Sequence, residues 1–142
     1  MDLRHQDEHY AEIGRDLIES EPALIHVRDS EATIIYLSSE HGKTADGKLV
    51  LGQCEKIQDK YKWAIPADFT ITLFEPNIEA LSEEQIRLVI LHELLHVGIR
   101  YDNDGNEVYF VEPHDVEDFR LLIERYGLDW ARPEEQYEIK KG

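Results

Sequence analysis

Ser82-Glu83-Glu84-Gln85-Ile86-Arg87-Leu88-Val89-Ile90-Leu91-His92-Glu93-Leu94-Leu95-His96-Val97-Gly98 is the stretch on which the reading of this chain turns. Ser82 can cap a helix, and Gln85, three residues on, can complete a capping box. Glu83 and Glu84 fall in the first turn, where acids favour the helix dipole. The spacing predicts a helix to about Val97, with Gly98 as its terminator. Ile86, Leu88, Val89, Ile90, Leu91, Leu94, Leu95 and Val97 make that helix apolar nearly all round, which predicts burial.

Two imidazoles and a carboxylate are costly in a buried helix unless they are paired or bound to metal. His92 and His96 are four apart, so both rise on one helical face and can reach one ion. Glu93 between them is the residue type that zinc hydrolases with this spacing use as general base. The plainer alternative is a pair of satisfied core histidines with a salt-bridged glutamate. The capped, buried setting and the histidine downstream favour the metal. A catalytic zinc takes three protein ligands and leaves a fourth position to water. His114, after a turn and a short strand, is the candidate third ligand, with Glu117 as the runner-up. Asp115 and Asp118 are candidates to orient a ligand imidazole, or else ordinary first-turn acids.

Working outward, residues 7–19 carry Tyr10, Ile13, Leu17 and Ile18 at helical spacing. Residues 32–37 read as a buried strand and 41–48 as a loop with an Asp-Gly turn. Leu49 to Gly52 resumes a strand that Cys54 to Ile57 extends. Phe69-Thr70-Ile71-Thr72-Leu73-Phe74 alternates apolar residues with threonine, which suits a half-exposed strand ended by Pro76. Residues 102–106 form a polar turn, Val108 to Val111 a short strand, and Pro113 opens a further helix with Gly127 as its stop. The order predicts an α+β fold: a small, mostly antiparallel sheet packed on the central helix and its flanking helices. Residues 1–132 read as one domain and 133–142 as a charged tail.

The chain has 142 residues and a formal net charge of −16. That charge argues against nucleic acid or an anionic membrane as the main partner. One cysteine, Cys54, permits no internal disulfide. The first eight residues have no apolar core for a signal peptide, and the longest aliphatic run is far too short for a bilayer. The expectation is a cytoplasmic protein. His5 is followed by Gln6 rather than glutamate and the flanks of His5 and His9 are polar, so the two read as solvated, and His26 and His41 have no partners at ligand spacing. The acidic run 102–107 has a misplaced glycine for a calcium loop.

At 92–98, at Pro113-His114-Asp115-Val116-Glu117-Asp118-Phe119 and at Tyr126-Gly127-Leu128-Asp129-Trp130 the chain resembles the zincin-type metallopeptidases. Within these it is most similar to the putative phage metallopeptidase family. The resemblance implies a minimal zincin-like fold and a third ligand from the histidine of the Pro-His-Asp segment. It departs from the metzincin pattern, since Gly98 follows His96 by only two residues and no histidine comes soon after.

The expected activity is hydrolysis of peptide bonds by Glu93-assisted attack of zinc-bound water, with one Zn²⁺ per chain held by His92, His96 and His114 and a peptide or protein as substrate. Arg100, Tyr101 and Tyr109 are candidate donors to the oxyanion, although tyrosines beside a strand more often pack. The strand at 69–74 is expected to line the cleft and pair with substrate. Two other readings stand: a non-catalytic zinc-binding regulatory module of a mobile element, and a zinc amidase acting on a non-protein substrate.

Overall fold

The structure, a computed structural model, describes residues 3–113. The helix expected from Pro113, residues His114, Asp115, Glu117 and Asp118, and the tail from 133 lie outside the described residues.

The elements run β1 (Arg4–Gln6), α1 (Glu8–Ser20), a 3₁₀ turn, α2 (Ile25–Arg28), β2 (Ile34–Ser39), β3 (Thr44–Ala45), β4 (Lys48–Leu49), β5 (Gly52–Lys56), a second 3₁₀ turn, β6 (Phe69–Phe74), α3 (Glu75–Ile78), α4 (Glu83–Leu94), β7 (Val97–Tyr101) and β8 (Glu107–Val111). The fold is α+β, with a four-stranded sheet in the order β1-β2-β6-β5 and two separate two-stranded ribbons. The sheet is mixed. β1 and β5 pair antiparallel with their neighbours, but β2 and β6 run parallel, with Tyr36 opposite Ile71. The expectation of a mostly antiparallel sheet missed this pair. A parallel pair needs a long crossover, and that crossover contains β3, β4 and β5, which the strand pattern alone does not assign to an edge.

Local signals place α1. Asp7 caps it by accepting from the Tyr10 N–H at 3.0 Å, and Tyr10, Ile13 and Leu17 form its buried face. The Asp-Gly pair, read as part of a loop, closes a small ribbon of β3 and β4. Asp46 and Gly47 both have positive φ, at 56° and 75°, as a two-residue hairpin turn requires.

β6 is buried along its whole length, not on one face. Phe69, Ile71 and Leu73 enter the core with Tyr36, Leu17, Leu88 and Leu91. The other face is covered too. Arg4 Nη1 donates to Thr72 Oγ1 at 3.1 Å, and the Arg4 guanidinium and the Lys43 ammonium lie 5.7 and 5.9 Å from the Phe74 ring centre. Alternation with threonine therefore marks two different coverings rather than core and solvent. β6 has β2 on one side and β5 on the other, so it is not an edge.

The edge is β5. Leu51 accepts from the Phe74 N–H at 3.1 Å, and the Ile57 N–H donates to Asp68 at 2.9 Å. By the alternation of an antiparallel ladder, Gln53 and Glu55 also face β6, whereas Gly52, Cys54 and Lys56 direct their main-chain groups outward. Among the described residues no strand pairs with that outer side.

Candidate active site

α4 begins as the sequence predicts. Ser82 Oγ accepts from the Gln85 N–H at 3.1 Å, and Gln85 Oε1 accepts from the Ser82 N–H at 2.9 Å. Leu88 to Leu94 are all buried. The helix ends at Leu94, earlier than expected. Leu95 caps it, and the His96 N–H donates to the Glu93 carbonyl in a tighter last turn. Gly98 does not terminate the helix; it is the second residue of β7, opposite Phe110 of β8. A Cβ there would lie 2.4 Å from the Phe110 ring, so the glycine answers to cross-strand packing.

His92, Glu93 and His96 are all buried, at 6–7% exposure. The two imidazole ring centres are 5.0 Å apart with their planes at 85°. Metal–nitrogen bonds of about 2.0–2.1 Å at a tetrahedral angle put two imidazole centres about 5 Å apart. The pair thus fits a shared divalent ion. His96 is further held by the hairpin: its Nδ1 donates to the Glu112 carbonyl at 2.5 Å, and the Glu112 N–H donates to the His96 carbonyl at 2.6 Å. A carbonyl can only accept, so Nδ1 carries the proton, and Nε2 is the ring atom that the neutral imidazole would offer a metal. Among the described residues no group of three or more His, Cys, Asp or Glu side chains could hold a metal ion.

Glu93 lies against the edge strand. A Cβ on Gly52 would meet Glu93 Cγ and Val89 Cγ1 at 3.1 Å and Glu93 Oε2 at 3.3 Å. The missing side chain brings the carboxylate to the β5 backbone. Cys54, two residues along, has its thiol pushed up by burial, with the Glu93 and Glu55 carboxylates adding to the rise. It is a half-buried packing residue, not a nucleophile.

The other candidates make their contacts elsewhere. The Tyr109 hydroxyl donates to Glu107 at 2.6 Å, and its ring packs edge-on against Phe69. The Arg100 guanidinium lies 5.3 Å from the Phe110 ring centre. Tyr101 is 59% exposed at the far end of β7. His5 sits in β1 beside Glu40 and His9 at the start of α1 beside Glu83, so they do not share a helix. His26 Nε2 donates to the Val97 carbonyl at 2.9 Å. Two contributors escaped the sequence: the Glu112 backbone, which depends on the β7–β8 pairing, and Gly52. A glycine inside a strand was the available signal for a close approach.

Together these features define an α+β protein whose buried helix delivers two imidazoles and a carboxylate beside the outer strand of a mixed sheet. The chain matches the family described as putative phage metallopeptidase over residues 4–138, and it belongs to that family. No curated protein and no solved structure matches it. No helix among the described residues is long and apolar enough to cross a membrane.

Proposed function

We propose that the chain is a zinc metallopeptidase of minimal zincin-like architecture. In this reading His92, His96 and His114 hold the ion and residues 1–132 form the catalytic domain. The observation that carries it is the hairpin clamp on His96. β7 and β8 bring the chain back to the helix end at Glu112, two residues before His114. When bound, zinc polarises the scissile carbonyl and acidifies a water.

The protein's own residues do the rest. Glu93 takes the proton of the attacking water and delivers it to the leaving amine. The Glu112 carbonyl keeps the His96 imidazole in the tautomer that a metal needs. β5, not the strand at 69–74, is where an extended substrate pairs. Gly52, Cys54 and Lys56 offer main-chain donors and acceptors, and Glu93 lies against Gly52. Backbone pairing favours a polypeptide over a non-peptide amide.

The deciding experiment is Glu93→Gln. The variant should bind one zinc per chain and lose cleavage of an unfolded test protein. Cleavage at the wild-type rate would defeat the mechanism, and zinc binding without cleavage in the wild type would favour the regulatory module.

A further inference from the structure

The loop of residues 57–68 leaves β5 at Lys56 and returns as β6 at Phe69. It is tied down at its base. Asp68 Oδ1 accepts from Lys62 Nζ at 2.8 Å, and Asp68 Oδ2 accepts from the Thr33 N–H at 2.8 Å and the Thr33 hydroxyl at 3.1 Å. Ile57 and Ala67 are buried. Ala64 and Ile65 both donate their N–H groups to the Tyr61 carbonyl at 3.0 Å. The Lys62 ammonium also lies 5.8 Å from the Tyr109 ring centre, which joins the loop to β8.

On this held frame Trp63 is 86% exposed, Tyr61 49% and Ile65 37%. Single exposed apolar residues are common on protein surfaces. Three within five residues, on a pinned loop, are not scatter. Trp and Tyr are also the residue types that dominate binding hot spots, because they offer a large contact area with few torsions to freeze.

We infer that Trp63, with Tyr61 and Ile65, forms a subsite for an apolar side chain of an extended polypeptide substrate, about four or more residues from the bond being cut. The inference rests on the peptidase reading above. Strand pairing along β5 reads any sequence, so selectivity has to come from side-chain contacts. Glu93 lies at the Gly52 end of β5. A substrate strand laid along β5 passes Lys56, roughly 13 Å further on by strand rise, and runs into the loop. Residues 56–68 hold three lysines against two aspartates in a chain of net charge −16. An apolar side chain flanked by acids therefore suits this segment better than a basic one.

The test uses the zinc-loaded full chain and a set of peptides that differ only in Leu, Phe, Asn or Lys at positions three to seven residues from the cleaved bond. Wild type should favour Leu or Phe over Asn by about tenfold in kcat/KM at one of these positions, with the difference in KM. Trp63→Ala should bring that ratio to within about twofold, and Trp63→Phe should retain most of it. The same ratio is read as Kd by fluorescence anisotropy in the Glu93→Gln background, where turnover is not needed. A Trp63-dependent Kd ratio without wild-type turnover would sink the peptidase reading and keep the subsite. Equal ratios with and without Trp63, alongside a dead Glu93→Gln, would sink the subsite alone.

Discussion

His96 and Glu112 hold each other twice: the imidazole Nδ1 donates to the Glu112 carbonyl, and the Glu112 N–H donates to the His96 carbonyl. The contact continues the β7–β8 ladder by one pair beyond Val97 and Val111. It uses only the backbone of Glu112. Glu112→Ala should therefore leave zinc affinity within about twofold of wild type. Glu112→Pro removes the N–H, and Val111, as the last residue of β8, is already extended as a residue before proline must be. The Glu112 carbonyl remains but loses the bond that anchors it beside His96, so zinc affinity should fall, by at most the roughly 10–100-fold that loss of a ligand-orienting group costs. Competition with a chelator measures both variants, and equal affinities would remove the clamp from the account.

Gly98 tests the same hairpin from its other side. A Cβ would sit 2.4–2.7 Å from three atoms of the Phe110 ring. Gly98→Ala should cost about 1–3 kcal/mol, the range for overpacking. Phe110→Ala in the same chain should recover part of that loss, because the ring is the obstacle. Urea unfolding of the two single variants and the double variant gives the coupling. Additive losses would mean that Gly98 serves something other than the Phe110 contact.

Gly52→Ala should act on turnover rather than on metal. The new Cβ meets Glu93 Cγ and Val89 Cγ1 at 3.1 Å, which shifts the carboxylate by a few tenths of an ångström. We expect kcat to fall about tenfold, a barrier rise of roughly 1.4 kcal/mol. One zinc should still bind per chain. Unchanged kcat would separate Glu93 from the β5 backbone.

Asp68 predicts an acid-sensitive contribution to stability. Burial alone would raise its pKa, but the bonds from Lys62 and Thr33 outweigh burial and hold it below the usual carboxylate value. A folded-state pKa that is depressed favours the folded state above the unfolded value, and the benefit is lost as pH falls through the folded one. The contribution should be complete above about pH 4 and fade below it. Asp68→Asn should be less stable than wild type at pH 6, with the gap closing towards pH 3. Urea midpoints across that range measure it, and a constant gap would contradict the linkage.

The signals legible in the chain were those acting over three or four residues. Ser82 and Gln85 close their capping box through contacts within one turn, and Asp7 with the Tyr10, Ile13 and Leu17 face sets α1 by the same local physics. His92 and His96 could be paired on paper because helical spacing alone puts them on one face. The start of α4, the α+β class and the burial of the His-Glu-x-x-His segment followed from such short-range rules.

Contacts between distant segments settled the rest. Gly98 looked like a helix stop, but Phe110, twelve residues away, claims its space as a strand partner. Phe69 to Phe74 looked half-exposed until Arg4 and Lys43 arrived on its threonine face. Which strand lies at the edge beside Glu93 depends on β2 and β6 pairing in parallel across the intervening residues 40–68, and no periodicity encodes a neighbour. Local torsion preferences are written into adjacent residues. Cross-strand order is chosen by the burial of whole faces at once, and only the folded chain evaluates that sum.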